Sequence, residues 1–542
     1  MTDAPLTQVD AIFTPWDNPD RPGCAVAVIR AGEVVASRGY GLANLEYAQP
    51  IIPESVFVVG SVAKQFTACA VSLLAQQGHL SLDARVRDYL PDLPDYCSPV
   101  TIRQMLHHTS GIRDFWPLFS LAGKPSDGVY TEGDILEVVR RQRGLDFTPG
   151  TRFSYSNTGY ILLAMTIARA SGQTLRRYAR EHIFAPLGMD QSQFVDDHRL
   201  VVPQRVDGYE HAPDGAIRRF MPHNDLVGQG GLMTTVVDLA RWDGNFYAPL
   251  VGGQDLIAQL QEPGVLVDGR RLDYARGLVI GTYRGATTVS HAGGTAGYRA
   301  EVLRFPDHRF SVACLANTAE ADATALAYRV ADVYLDAQLA PPPPRPARMT
   351  SYTDQGDMGR GDVQAMVGTY WNDDTFSLQT VAAQGDHALW GEGEGAAMLV
   401  PVGDGRFGVE DLPIELRLVA SPDGGADELR VRPSAQSPDD AIYRRVSVPL
   451  AAHLTVYPGT YDSAELATAY VVTLADGMLT LAHPTVGSFA LHPINDDTFA
   501  VREWQARVHF LRGHATEIMA FDLSFARATD VHFAKRSGGA LL

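Results

Sequence analysis

Ser61-Val62-Ala63-Lys64-Gln65-Phe66-Thr67-Ala68-Cys69-Ala70 is the stretch on which the reading of this chain turns. Apolar positions continue at helical spacing through Phe66, Ala70, Leu73 and Leu74, and Gly78 follows as a stop, so a helix is predicted over Ser61 to Gln77. A separation of three residues puts Ser61 and Lys64 on one helical face. A neutral amine there can take the hydroxyl proton of the serine, while the helix N-terminus stabilises nearby negative charge. Alone, S-x-x-K is a weak signal, because a helix cap followed by a solvated lysine also satisfies it. Composition strengthens it. Of 45 basic residues only Lys64, Lys124 and Lys535 are lysines; the rest are arginines, which keep their proton under ordinary conditions and cannot serve as bases. Lys64 therefore reads as retained for chemistry, and Lys124 and Lys535 as surface residues.

Two more motifs fall in line with the first. Tyr155-Ser156-Asn157 sits in a polar loop after Pro149-Gly150 and before the apolar run Tyr160 to Ile167. On an extended segment, side chains two apart point the same way, so a phenol and an amide face a common partner. Beside Lys64, Tyr155 could relay a proton to a leaving group while Asn157 hydrogen-bonds substrate and lysine. His291-Ala292-Gly293-Gly294 lies in a strand-like run with Val289, and glycines on a strand let a substrate backbone approach closely. Backbone N–H groups of Gly294 and Ser61 could form an oxyanion hole, with His291 as a polar or cationic wall that changes charge near its reference pKa of about 6.5. No G-x-S-x-G, H-E-x-x-H or G-x-x-x-x-G-K-[ST] occurs, so the elbow hydrolase, metalloprotease and nucleotide readings lose their usual support, and neither metal nor cofactor is expected. The Gly228 to Gly231 run reads as a turn.

Around these motifs the 542 residues divide. At roughly 150 residues per domain the length suggests several domains. Pro341 to Pro344 and Pro346 mark a linker over 339–360. Upstream, in 1–338, strand-like runs around the Ala31-Gly32 hairpin signal precede the Ser61 helix and a mostly helical middle; strands then return before a helix carrying Leu326, Val330 and Val333 on one face. That is an α+β layered domain. Downstream, short alternating segments predict two small antiparallel β-domains, 361–448 and 449–542. Gly368-Thr369-Tyr370 recurs as Gly459-Thr460-Tyr461, and Pro401 and Phe407 recur as Pro493 and Phe499, at offsets of 91, 92 and 92 residues, the mark of a tandem duplication. A net charge of −18 disfavours nucleic acid and anionic lipid as partners. The absence of a long apolar span or a basic, apolar N-terminus, with only four scattered cysteines, predicts a cytoplasmic protein off the membrane with buried thiols.

With three motifs in this order, the first 338 residues resemble the serine β-lactamase and penicillin-binding-protein superfamily, in its branch with His-x-Gly. Leu106-His107-His108-Thr109-Ser110-Gly111-Ile112, Gly231-Leu232-Met233-Thr234-Thr235 and Tyr274-Ala275-Arg276-Gly277 add to the likeness and are taken as scaffold. One such domain followed by two lipocalin-like β-barrels looks like the bacterial D-aminopeptidases. That resemblance implies a serine hydrolase working through an acyl-enzyme, releasing N-terminal D-residues from small peptides, amides or esters. The alternatives are a promiscuous esterase or D,D-peptidase of the same fold and, with less weight, a β-lactamase or a non-catalytic penicillin-binding sensor. It implies Ser61 as nucleophile, Lys64 and Tyr155 as proton relay, Asn157 and His291 as substrate-side groups, and Gly293 and Gly294 on the oxyanion strand. It also implies that a loop of the last domain, here Pro484, Thr485, Val486 and Gly487, helps choose substrates; the stretch Leu481 to Ser488 holds no carboxylate for a free amine. A homodimer is a possible assembly.

Overall fold

A computed structural model describes residues 4–341 and 365–536, apart from 386, 394–395, 404, 411, 413, 421–425, 433–439, 447–450 and 515–516. Most of the expected linker lies outside the described residues. The chain divides into two compact units, 1–116 with 124–342, and 117–123 with 343–542.

The first unit is built on β1 (Cys24–Arg30), β2 (Glu33–Tyr40), β3 (Val279–Tyr283), β4 (Ala286–Thr295), β5 (Tyr298–Phe305) and β6 (Phe310–Ala316), antiparallel in the order β3-β4-β5-β6-β1-β2. Ala31 and Gly32, both at positive φ, make the two-residue turn between β1 and β2 that the sequence signals. In β1 and β6 almost every residue is buried on both faces, which explains their continuous apolar sequences. Helices α1 (Ala4–Phe13) and α6 (Ala323–Leu335) cover one face, where Val9, Phe13, Leu326 and Val330 pack with Val26, Val28 and Val312. Onto the other face packs α5 (Val236–Gly244). There Arg304 of β5 donates to Asp243 of α5 at 2.6 Å, both buried, and its guanidinium lies 3.7 Å over the Phe246 ring. Beyond the sheet, α2 (Lys64–Gln76) packs on α4 (Asn157–Ser171). Cys24, Cys69, Cys97 and Cys314 are free, buried thiols, and burial pushes Cys97 up to about 11.

The second unit holds two closed barrels of eight antiparallel strands in chain order, from Gly368–Asn372 to Ala441–Arg445 and from Gly459–Ser463 to Ala528–Lys535. The duplication holds to the level of single bonds. The Tyr370 hydroxyl donates to Met366 O at 2.8 Å and the Tyr461 hydroxyl to Tyr457 O at 2.6 Å, each four residues back. Pro401 pairs with Phe407 and Pro493 with Phe499, each pair followed by a slip of register. The cation at each barrel's closure also recurs. Arg445 opposite Tyr370 and Lys535 opposite Tyr461 both lie over the ring and donate to a nearby carbonyl. Lys535 therefore has a structural task that its reading as a surface residue passed over. Residues 117–123 join this unit, with Tyr470 Oη donating to Leu121 O at 3.0 Å. Among the described residues no helix is long and apolar enough to cross a membrane.

One buried group makes the first unit sensitive to pH. Glu301 of β5, opposite Ala292 and Cys314, accepts the Thr324 hydroxyl at 2.6 Å, and burial pushes its carboxyl up to about 7 from an ordinary 4.5. The native carboxyl holds its proton more tightly than the unfolded one. Its contribution to stability is thus full below pH 4.5 and is lost as pH rises through 7. Glu301→Gln should remove most of that loss, so that the urea midpoint falls less between pH 5 and pH 8 than in the wild type. The same pH dependence in both proteins would show that Glu301 is not held protonated.

Candidate active site

The site begins with a backbone constraint. A short strand, Phe57–Val58, pairs with Leu232–Thr234, and the chain then turns through the 3-10 segment Gly60–Ala63 into α2. Ser61 thus stands on a tighter turn before the α-helix rather than in its first turn. Gly60 takes φ +50°, and a Cβ there would lie 2.7 Å from Gly294 N. A Cβ on Gly293 would lie 2.0 Å from Val59 O and 3.1 Å from Ser61 N, so the serine turn and β4 meet backbone to backbone. In a 3-10 turn residues i and i+3 eclipse, which sets Lys64 over Ser61. Strand β4 also outruns β3, whose register ends at Val279 opposite Ser290. Among the described residues no strand pairs with His291–Thr295 on that edge, which leaves main-chain groups for an extended ligand.

Lys64 is fully buried, and its Nζ donates to Asn157 Oδ1 at 2.8 Å and to Gln229 O at 2.7 Å, with Ser61 Oγ at 3.1 Å. Two carbonyl oxygens occupy two N–H directions. The third direction faces the serine oxygen, as an N–H in the ammonium or a lone pair in the amine. The rings of Tyr155 and Tyr160 lie 4.7 Å and 5.4 Å from Nζ. Asn157 is held in turn by Asp114, also fully buried, whose Oδ2 accepts from Asn157 N at 3.0 Å and Nδ2 at 2.9 Å. With Nδ2 engaged, Oδ1 must face the lysine. Asn157 is the first residue of α4, capped by Ser156, so it meets Lys64 from a helix end and not from the extended segment the spacing suggested.

Tyr155 is positioned by an aromatic cluster. Its ring stacks on His108 at 4.1 Å and meets Tyr274 edge-on at 6.1 Å. His108, at φ +56°, accepts from Ser154 N with its carbonyl and from Ser156 N with Nδ1, fixing the loop on both sides of Tyr155. Tyr274 owes its place to Gly277, where a Cβ would lie 2.6 Å from Gln65 N. The segments around His108 and Tyr274, taken as scaffold, therefore shape the site directly, and the Gly228 to Gly231 turn supplies the carbonyl of Gln229 to Lys64.

At His291 the structure departs from expectation. The ring is 5% exposed, its Nδ1 is 2.6 Å from Ala292 O and its Nε2 is 3.1 Å from the Tyr274 hydroxyl. Burial, reinforced by the charge of Lys64, pushes its pKa down to about 4. At neutral pH the imidazole is uncharged, so the cationic wall titrating near its ordinary value does not form. The sequence reading had taken His291 as a polar or cationic wall on a strand, and only the packing buries it.

Residues 9–335 match the Beta-lactamase family. The chain belongs to the Beta-lactamase family. Relatives include the D-aminopeptidase of Brucella canis, 30% identical over 330 residues that make up 60% of this chain and 61% of that protein. Another is the D-aminopeptidase of Gluconobacter oxydans, 30% identical over 296 residues, 55% of this chain and 56% of that protein. The chain thus spans about three-fifths of the length of the first of these relatives. Among solved structures, the octameric penicillin-binding protein homologue from Pyrococcus abyssi is 21% identical and covers 88% of this chain and 98% of its own, with a TM-score of 0.56. The D-amino acid amidase from Ochrobactrum anthropi SV3 is 22% identical and covers 62% and 100%, with a TM-score of 0.53. Both share the fold.

Within this Beta-lactamase domain Ser61, Lys64, Tyr155, Asn157, His291, Gly293 and Gly294 lie close together. The hairpin Pro484 to Gly487 belongs to the other unit, between strands Met478–His483 and Gly487–Asn495, where Thr485 Oγ1 donates to Gly123 O at 3.2 Å. Asp114 escaped the sequence reading, because nothing in the spacing ties it to Asn157. Asp114→Asn should turn the Asn157 amide and withdraw an acceptor from Lys64. A misplacement of this kind costs about 10²-fold in kcat. Steady-state kinetics on a small activated ester would test this, and an unchanged kcat would show that Asp114 does not orient the site.

Proposed function

We propose that this chain is a serine hydrolase that releases N-terminal D-residues from small peptides, amides or esters through an acyl-enzyme. The observation that carries the proposal is the Ser61–Lys64 contact of 3.1 Å with both other directions of Nζ taken by carbonyl oxygens. As the amine, Lys64 accepts the Ser61 proton while Oγ bonds to the scissile carbonyl carbon. The carbonyl electron pair moves to oxygen, which the backbone of Ser61 and of Gly293-Gly294 faces. When that pair returns, the C–N or C–O bond breaks and the leaving atom takes the proton through Tyr155, with Asn157 fixing lysine and substrate. Water then attacks the acyl-enzyme by the same relay and restores Ser61.

The D-aminopeptidase relatives support the choice of substrate. The absence of a carboxylate between Leu481 and Ser488 favours one alternative, a broader amidase and esterase that does not insist on a free amine. The four buried thiols support a reducing, cytoplasmic setting.

Ser61→Ala should lower turnover on the order of 10⁶-fold. Lys64→Arg should be nearly as damaging although it keeps the charge, because a guanidinium cannot act as the base. An activated ester or β-lactam should leave its acyl mass on the Ser61 peptide. In a panel of matched D- and L-amino-acid amides, acyl esters and a chromogenic cephalosporin, the D-amides should turn over fastest; label elsewhere, or a preference for L-amides, would overturn the proposal. We also propose a part in substrate choice for Pro484, Thr485, Val486 and Gly487. Deleting them should leave small esters as substrates and admit longer peptides, and an unchanged substrate profile at full thermal stability would remove that role.

A further inference from the structure

His291 stands on β4 beside Tyr155 and Lys64, at one end of the candidate cleft, and its ring is buried with neither nitrogen turned to a ligand. Nδ1 lies 2.6 Å from a carbonyl oxygen, Ala292 O, which accepts and cannot donate, so Nδ1 carries the proton. In the neutral ring Nε2 then holds a lone pair, and the group 3.1 Å from it is the Tyr274 hydroxyl. The hydroxyl donates; the tautomer follows from its two neighbours. Tyr274 is itself buried and wedged by aromatic neighbours, with ring centroids at 4.6 Å from His108, 5.8 Å from Phe153 and 6.1 Å from Tyr155. The groups that bear on the imidazole are Lys64 of α2, Tyr155 of the loop before α4, and Tyr274. The lysine opposes a second positive charge, and burial pushes the Tyr274 phenol well above its ordinary range, so it offers no anion to invite one.

We propose that Tyr274 is a positioning residue that locks His291 as a neutral, Nδ1-protonated ring, so that this end of the cleft selects substrates with an uncharged group, an amide or ester, over those with a free carboxylate. A carboxylate needs a cation or free donors to replace its hydration, and a ring whose two nitrogens are engaged offers neither. Without the hydroxyl the ring still lies buried beside Lys64, but its Nε2 lone pair loses its donor, so it takes a second proton, and holds an anion, more readily than in the wild type. This inference rests on the acyl-enzyme reading for its consequence in substrate choice, but not for the state of His291.

The test has two arms. The first follows the imidazole by NMR in protein labelled at histidine, with His291 assigned by its loss in His291→Asn. In the wild type the ring should stay neutral down to about pH 4. In Tyr274→Phe, which keeps the ring and loses the donor, the midpoint should rise by about one pH unit. A wild-type midpoint near 6.5 overturns the proposal without any variant, and an unmoved midpoint in a folded Tyr274→Phe overturns the role of the hydroxyl. The second arm compares kcat/KM for a D-dipeptide with its C-terminal amide across pH 4 to 8. The wild type should favour the amide at every pH. Tyr274→Phe should narrow that preference as pH falls through the new midpoint, by up to about tenfold, and a preference unaltered despite a moved midpoint overturns the selection. If neither substrate is turned over by the wild type, the hydrolase reading fails while the NMR arm still decides the state of His291.

Discussion

A lysine ammonium or amine enclosed by protein must find every hydrogen-bond partner inside, and the arrangement of this molecule's first unit is built around that demand at Lys64. Its partners come from three separated stretches: the 3-10 turn with Ser61, the N-terminus of α4 with Asn157, and the glycine-rich turn with Gln229. Each must be held to within a few tenths of an ångström, since a buried polar atom left without a partner costs about 1–3 kcal/mol. The surrounding features can be read as means to that end. Asp114 orients the Asn157 amide, His108 pins the loop on either side of Tyr155, and Gly277 lets the Tyr274 segment lie against the first residues of α2.

Close backbone approach is the second constraint. At Gly60, Gly293 and Gly277 a single methyl group would meet main-chain atoms at 2.0 to 2.7 Å, distances that flexible side chains could not relieve. Gly60 and Gly293 bring the edge of β4 to the serine turn, while Gly277 lays the Tyr274 segment against α2; in the proposed hydrolase an oxyanion on the substrate carbonyl would then meet backbone donors already in place. Preorganisation of this kind is what electrostatic catalysis requires. The sheet supplies the rigidity behind it: β1 and β6 are packed on both faces, and the buried Arg304–Asp243 pair ties β5 to α5.

The barrels show the same sequence solving the same problem twice. A closed barrel has no free edge strand, and each copy closes with a tyrosine hydroxyl bonded four residues back and a cation across its ring. Arginine takes that place in one copy and lysine in the other, which gives Lys535 a structural role apart from the site of Ser61.

Local chemistry was legible in the chain by itself: a serine and lysine three apart before an apolar helix, a tyrosine and asparagine ahead of another, two glycines on a strand, and a repeat whose spacing announced two copies of one small β-domain. Those signals depend on residues close in sequence, and short-range sterics and periodicity determine them. Tertiary packing decided the rest. Asp114 and Asn157, or Tyr274 and His291, are paired by the meeting of segments whose separation follows no period. The charge of His291 was likewise undetermined until the fold buried it, because an imidazole's protonation depends on the water around it and on the lysine facing it, and both are set only when distant stretches of the chain close over the same site.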